Sequence, residues 1–289
     1  HSTPGTAGAA SLVYRWLQTT HGIATPSPAL VKAYLMGHTT YLTGVSANDT
    51  LPSNVQGFGM PNLGMAFDAA THYLVNQTTL FNNTGETWTF NGSVANPALP
   101  VRIMMVYSDA PGAIGTSPQV NNLNLSATIG GTNTYLGNVF SGRNSTTGGA
   151  ADTLNNYEGV FLPAGTNGSL DITITAANIA GDGVANTGDA TDQDFALVCY
   201  NCAQFPDFTM GITPAAQAVC SPTSAPYTIN IGSILGYNEP VTLSVTGLPA
   251  GASASFNTNP VTPAGVSTMT ITTAGVSAGA STLTVEGKS

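Results

Sequence analysis

From Leu80 onward, apolar residues recur at every second position, and that period restricts most of this chain to β structure. Trp88 and Phe90 alternate, as do Val101, Ile103, Met105 and Tyr107, and then Leu123, Leu125, Ala127 and Ile129. Tyr135–Phe140, Val160 with Leu162, Leu170 with Ile172 and Ile174, and Phe195–Tyr200 follow, divided by clusters of Gly, Pro and Asn. About eight short strands with turn residues between them predict a jelly-roll-like β-sandwich over 80–203. Gln204-Phe205-Pro206-Asp207 reads as a short linker. A second alternating set then runs from Phe208 to Val285 and predicts an immunoglobulin-like sandwich over 204–289. It lacks the Cys…Trp…Cys core of antibody domains.

The first 79 residues follow a different period. Leu12, Val13, Trp16 and Leu17 sit at helical spacing behind a small-residue run, Gly5, Ala7, Gly8, Ala9 and Ala10. Ser2 or Thr3 is the expected N-cap, with Pro4 in the first turn and an end near Gln18. Gly5 and Gly8 each cost roughly 1 kcal/mol against Ala in a helix interior. Such a helix needs close neighbours. Pro26-Ser27-Pro28 opens a second helix that stops at Gly37, and Leu63–Leu74 reads as a third. Three helices with apolar faces do not make a domain, so another element must bury them.

Solubility cannot rest on charge. The chain is 42% hydrophobic and 7% charged, against about 25% charged in ordinary globular domains. A net charge of -9 argues against nucleic acid or an anionic membrane surface as partner. No apolar run approaches the roughly 20 residues that span a bilayer.

The opening residues carry a resemblance. His1-Ser2-Thr3-Pro4 and the small-residue helix resemble the segment behind the nucleophile of subtilisin-like serine proteases, Gly-Thr-Ser, two residues, then Thr-Pro. Ser27–Leu35 resembles the next helix of that family. Gln56-Gly57-Phe58-Gly59-Met60-Pro61-Asn62 resembles its closing Gln-Gly-x-Gly-x-x-Asn segment. Val106–Gly112, with Asp109, and Asn121–Leu125 resemble the sandwich that follows the catalytic domain in large secreted members. The matches keep the family's order over about residues 1–203.

The resemblance implies that the nucleophilic serine directly precedes His1, with the aspartate, the histidine base and the oxyanion-hole asparagine further upstream. The start at His1 then reads as a cut or a truncated product. The chain alone is expected to be catalytically silent. The fold class expected is mainly β: a helical subtilase remnant (1–79), a jelly-roll-like sandwich (80–203) and an Ig-like sandwich (204–289).

Other residues carry weaker chemistry. None of His1, His21, His38 and His72 lies in a metal-spaced or nucleophile motif. Cys199, Cys202 and Cys220 suit one structural disulfide in an oxidising compartment. Cys202–Cys220 is the expected pair, clamping a domain junction, with Cys199–Cys202 as the alternative. Asp182, Asn186, Asp189, Asp192 and Asp194 crowd one loop, which is a candidate calcium site or else a solvated acidic loop. Asp109, before Ala110-Pro111-Gly112, reads as a turn-former.

Two functions follow from these readings. In the first, the chain is the non-catalytic C-terminal segment of a secreted subtilisin-like protease, partnered by an upstream catalytic fragment. In the second, it is an extracellular subunit that pairs with copies of itself into a filament through sheet edges.

Overall fold

The helical start of the chain forms α1 (Ser2–Thr19) in the computed structural model, which describes residues 2–115 and 118–289. α1 buries Ala9, Val13 and Leu17, one residue per turn, on a single stripe. Ser2 and Thr3 are already helical, so neither is the N-cap that the sequence suggests. α2 (Pro28–Gly37) begins at Ser27, whose hydroxyl accepts from the Leu30 N–H at 3.0 Å. It ends at His38, whose N–H donates to the Tyr34 carbonyl.

β1 (Thr39–Thr40) and β2 (Met60–Pro61) pair as a short antiparallel ribbon. Gly59 stands before β2 at φ +114, and a Cβ there would lie 2.5 Å from the Thr40 carbonyl oxygen. Both the backbone angle and the close approach demand glycine. Gly59→Ala is expected to cost about 1–3 kcal/mol, read as a lower urea midpoint with unchanged slope.

α3 (Leu63–Ala66) follows, capped by Asn62, whose side chain accepts from the Met65 N–H at 3.0 Å. The sequence period predicts a helix to Leu74, but this one ends after a turn. The Asp68 carboxylate takes the Ala70 N–H at 2.9 Å and turns the chain. From His72 the backbone pairs in a sheet instead. Tyr73, Val75, Thr78, Thr79 and Phe81 favour that choice, being aromatic or β-branched.

The strands that follow are β3 (His72–Phe81), β4 (Thr87–Val94), β5 (Val101–Val106), β6 (Asn122–Ile129), β7 (Asn133–Ser141) and β8 (Asn144–Thr147). β9 (Tyr157–Leu162), β10 (Ser169–Asn178), β11 (Gln193–Tyr200) and β12 (Cys202–Gln204) complete the first unit. They form a six-stranded sheet, β12-β4-β10-β6-β7-β8, and a four-stranded sheet, β3-β11-β5-β9, with antiparallel pairing throughout.

The two sheets share one core. Leu123, Leu125, Ile172 and Ile174 come from the first, and Val75, Ile103, Phe195 and Leu197 from the second. The other face of the four-stranded sheet carries Met104, Val106, Ala196 and Val198, which pack against Val13, Leu17, Leu30, Ala33 and Tyr34 of the helices. The sheet that buries the helices is therefore supplied by the sandwich. Helical segment and sandwich are one compact unit ending at Gln204. Every residue of β11 is buried, because its two faces serve two cores.

The second unit, Phe205–Ser289, has its own core. β13 (Asp207–Thr213), β14 (Ser224–Ile234), β15 (Thr242–Thr246), β16 (Ser253–Phe256), β17 (Gly265–Thr272) and β18 (Thr284–Lys288) form a four-stranded sheet, β13-β14-β17-β16, and a two-stranded one, β15-β18. Ile229, Ile231, Met269 and Ile271 of the larger sheet pack with Leu243 of the smaller.

The expected Cys202–Cys220 bridge is not formed. Cys199 and Cys202 are bonded, with Cα atoms 5.7 Å apart. Asn201, in the left-handed region at φ 68, turns the chain between β11 and β12 and brings these two cysteines together. Cys220 is exposed in the second unit as a free thiol. Thiol titration of unreduced, denatured protein is expected to find one reactive group, and Cys220→Ser to abolish it.

Candidate functional site

Three of the four histidines meet beneath the helices. His38 follows α2, His72 opens β3, and His21 lies in the loop after α1. The Nε2 atoms of His38 and His72 are 2.9 Å apart. His38 Nδ1 lies 2.7 Å from the Tyr34 carbonyl oxygen, and His72 Nδ1 lies 2.8 Å from that of Ala70. The His21 ring stands edge-on to His72, with centroids 5.3 Å apart, and its buried Nε2 has no hydrogen-bond partner among the described residues.

Two tyrosines wall the site. Tyr34 stacks on His38, centroids 4.2 Å apart, and donates its hydroxyl proton to the Ala66 carbonyl at 2.7 Å. The same hydroxyl is 3.3 Å from His72 Nε2. Tyr200, at the end of β11, stands edge-on to both rings and donates to the Asp68 carboxylate at 2.8 Å. The Arg102 guanidinium lies over the Phe161 ring, 4.3 Å from its centroid, and its Nε has no hydrogen-bond partner among the described residues.

Burial sets the electrostatics. It pushes His38 down to about 3, helped by the neighbouring His72, and His72 down to about 4. His21 is lowered and the Tyr34 and Tyr200 hydroxyls are raised by the same cause. Arg102 falls to about 10, again chiefly through burial. The imidazoles are thus neutral near pH 7 and present lone pairs. Among the described residues, no Ser or Cys side chain is hydrogen-bonded to these histidines.

No sequence spacing announced this cluster, since residues 21, 38 and 72 meet only through the packing of α1, α2 and β3. His1 lies outside the described residues.

The residues that carry the resemblance lie elsewhere. Thr3 and Pro4 are exposed in the first turn of α1. Gly57 occupies the left-handed region at φ 61. Asn62 caps α3 and donates to the Thr40 hydroxyl oxygen at 3.0 Å. The Asp109 carboxylate accepts from the backbone N–H groups of Ala110, Val120 and Asn121 at 2.7–2.8 Å.

The residues of the acidic loop stand in different surroundings, with Asp182 and Asp192 paired through their backbone. Asp192 is buried and accepts from the Val184 N–H and the Thr187 hydroxyl. Asp194 accepts from the Gln77 amide, and burial raises its carboxyl. Asp182, Asn186 and Asp189 are exposed. Two of the five proposed calcium ligands are therefore engaged with protein donors. Among the described residues, no three His, Cys, Asp or Glu side chains are arranged to hold a metal. Among the same residues, no helix is long and apolar enough to cross a membrane.

Scans of protein-family models and of curated proteins find no match to this chain.

Proposed function

We propose that this chain is the non-catalytic C-terminal segment of a secreted subtilisin-like serine protease, with a structural, accessory role. The observation that supports this most is the unpacked face of α1. Its first seven residues are exposed, and a Cβ added at Gly5 or Gly8 would meet nothing within 4 Å. Glycines that weaken a helix without admitting a neighbour from the described residues suit a neighbour outside the chain. Beside them lies an apolar groove lined by Ala10, Tyr14, Pro28, Val31, Leu35 and Met36. In this reading an upstream catalytic fragment covers both. The Cys199–Cys202 disulfide suits an oxidising, extracellular setting.

Two experiments test the reading. Intact mass of the natural protein is expected to exceed 29.3 kDa by an upstream segment, or to reveal a co-purifying fragment ending in Gly-Thr-Ser. A 29.3 kDa chain found alone and polymerising would transfer the proposal to a self-assembling subunit. Gly8→Leu is expected to leave the chain's own melting unchanged and to weaken association with the catalytic fragment at least tenfold. Peptide hydrolysis by the purified chain, blocked by a serine-directed reagent, would overturn its accessory role.

A further inference from the structure

We propose that Arg102 and Arg143 bind a doubly charged oxyanion, a phosphate group, where the β7–β8 hairpin meets β9. Arg102 lies on the face of β5 that carries Met104 and Val106 toward the helices. Its guanidinium rests over the Phe161 ring. Such stacking holds the plane of the group and leaves its edges for hydrogen bonds. Among the described residues Arg102 makes none, and neither arginine meets a carboxylate. Its Nε is enclosed, while the two terminal nitrogens reach the surface. A guanidinium so far removed from water calls for a counter-charge. A buried donor left over points the same way.

Strand register brings the second arginine to the same place. Arg102 pairs with Phe161 across β5 and β9. The Phe161 N–H donates to the Ser145 hydroxyl oxygen at 2.9 Å. Arg143 stands two residues before Ser145, exposed in the turn between Ser141 and Asn144. Burial lowers the Arg102 guanidinium most, and repulsion by Arg143 lowers it further. Acids are not scarce, with fourteen against five basic residues. Asp49, on the segment that packs on this turn, accepts from the Ser53 hydroxyl instead.

Two hydroxyls add to the donors. Ser145 accepts from Phe161, and Thr50 accepts from the Gly142 N–H at 3.2 Å. Among the described residues, the proton of each is uncommitted. Two guanidinium forks and two hydroxyls match the several oxygens of a phosphate. A dianion also offsets both positive charges, whereas a monocarboxylate offsets one.

The test uses the full chain. Inorganic phosphate is expected to raise the melting temperature of the first unit, followed by indole fluorescence, above that in sodium chloride of equal ionic strength. Calorimetric titration is expected to show one site, weakened at least about tenfold by Arg102→Gln and by Arg143→Gln. Arg102→Lys keeps the charge and loses the fork, so its affinity is expected to fall between those of wild type and Arg102→Gln. Lys288→Gln, in the second unit, is expected to bind as wild type does. Acetate is expected to bind at least about tenfold more weakly than phosphate. No gain over sodium chloride would overturn the site. So would equal affinity in wild type and Arg143→Gln, a result read on an exposed turn residue even if Arg102→Gln fails to fold. Acetate as tight as phosphate would overturn the dianion. A phosphate monoester separates two sources, and either result supports the site: binding as tight as the free ion assigns a phosphate carried on a larger molecule, and rejection assigns inorganic phosphate.

Discussion

Leu197→Ala is expected to remove about 2–5 kcal/mol from the first unit and nothing from the second. Leu197 is fully buried in the middle of β11 and packs into the core between the two sheets. Its strand neighbours are Val75 on β3 and Met105 on β5. A cavity here cannot collapse easily, because Ala196 and Val198 on either side are held by the helices. Both tryptophans, Trp16 and Trp88, belong to the first unit, so indole fluorescence reports on it alone. The urea midpoint followed this way is expected to fall by about 1 M or more. A second transition, followed by tyrosine or circular dichroism, is expected to stay in place. A loss below about 1 kcal/mol would mean that β11 is not the shared wall of two cores.

Glu158→Gln is expected to flatten the pH dependence of the first unit between about pH 4.5 and 8. Glu158 lies on β9 with its carboxyl buried. One oxygen accepts from the Leu125 N–H at 2.7 Å, and the other has no partner among the described residues. Gly137 leaves the room, since a Cβ there would stand 2.1 Å from that accepting oxygen. Burial raises the carboxyl from its ordinary 4.5 to about 8. Above pH 4.5 the unfolded chain ionises this residue while the folded chain keeps it protonated. The folded state then holds more protons, so stability is full below pH 4.5 and declines until pH passes about 8. The loss is on the order of 5 kcal/mol. Glutamine keeps an acceptor for Leu125 and cannot ionise. Melting curves of wild type and variant are expected to coincide near pH 4.5 and to diverge toward pH 8, with the variant more stable. Parallel curves across that range would refute it.

The strands were legible because their alternation is strict. Asn122–Ile129 buries every second residue, as a half-buried strand must. Phe195–Tyr200 has no alternation, and an unbroken apolar run means a strand covered on both faces. That covering explains how the helices of the first 79 residues find a sheet inside this chain. The third helix was misread because Ala66, Ala69 and Ala70 suit a helix, whereas a sheet partner 112 to 128 residues later decides the backbone of His72–Phe81. Cysteine pairing turned on the left-handed turn at Asn201, which sequence spacing does not encode. The histidine pair was invisible for a related reason. Its members are 34 residues apart, and only the packing of α2 against β3 brings them together.

The place of β11 also governs the order in which the molecule can be made. It is nearly the last strand of the first unit in sequence, yet it lies inside the four-stranded sheet between β3 and β5. During synthesis α1, α2, β3 and β5 leave the ribosome long before the strand that joins them. Their apolar faces have no wall until residue 200 has emerged. Any shortened version ending before Gln193 therefore lacks the shared strand and is expected to aggregate. A version ending just after Gln204 keeps both cores of the first unit whole.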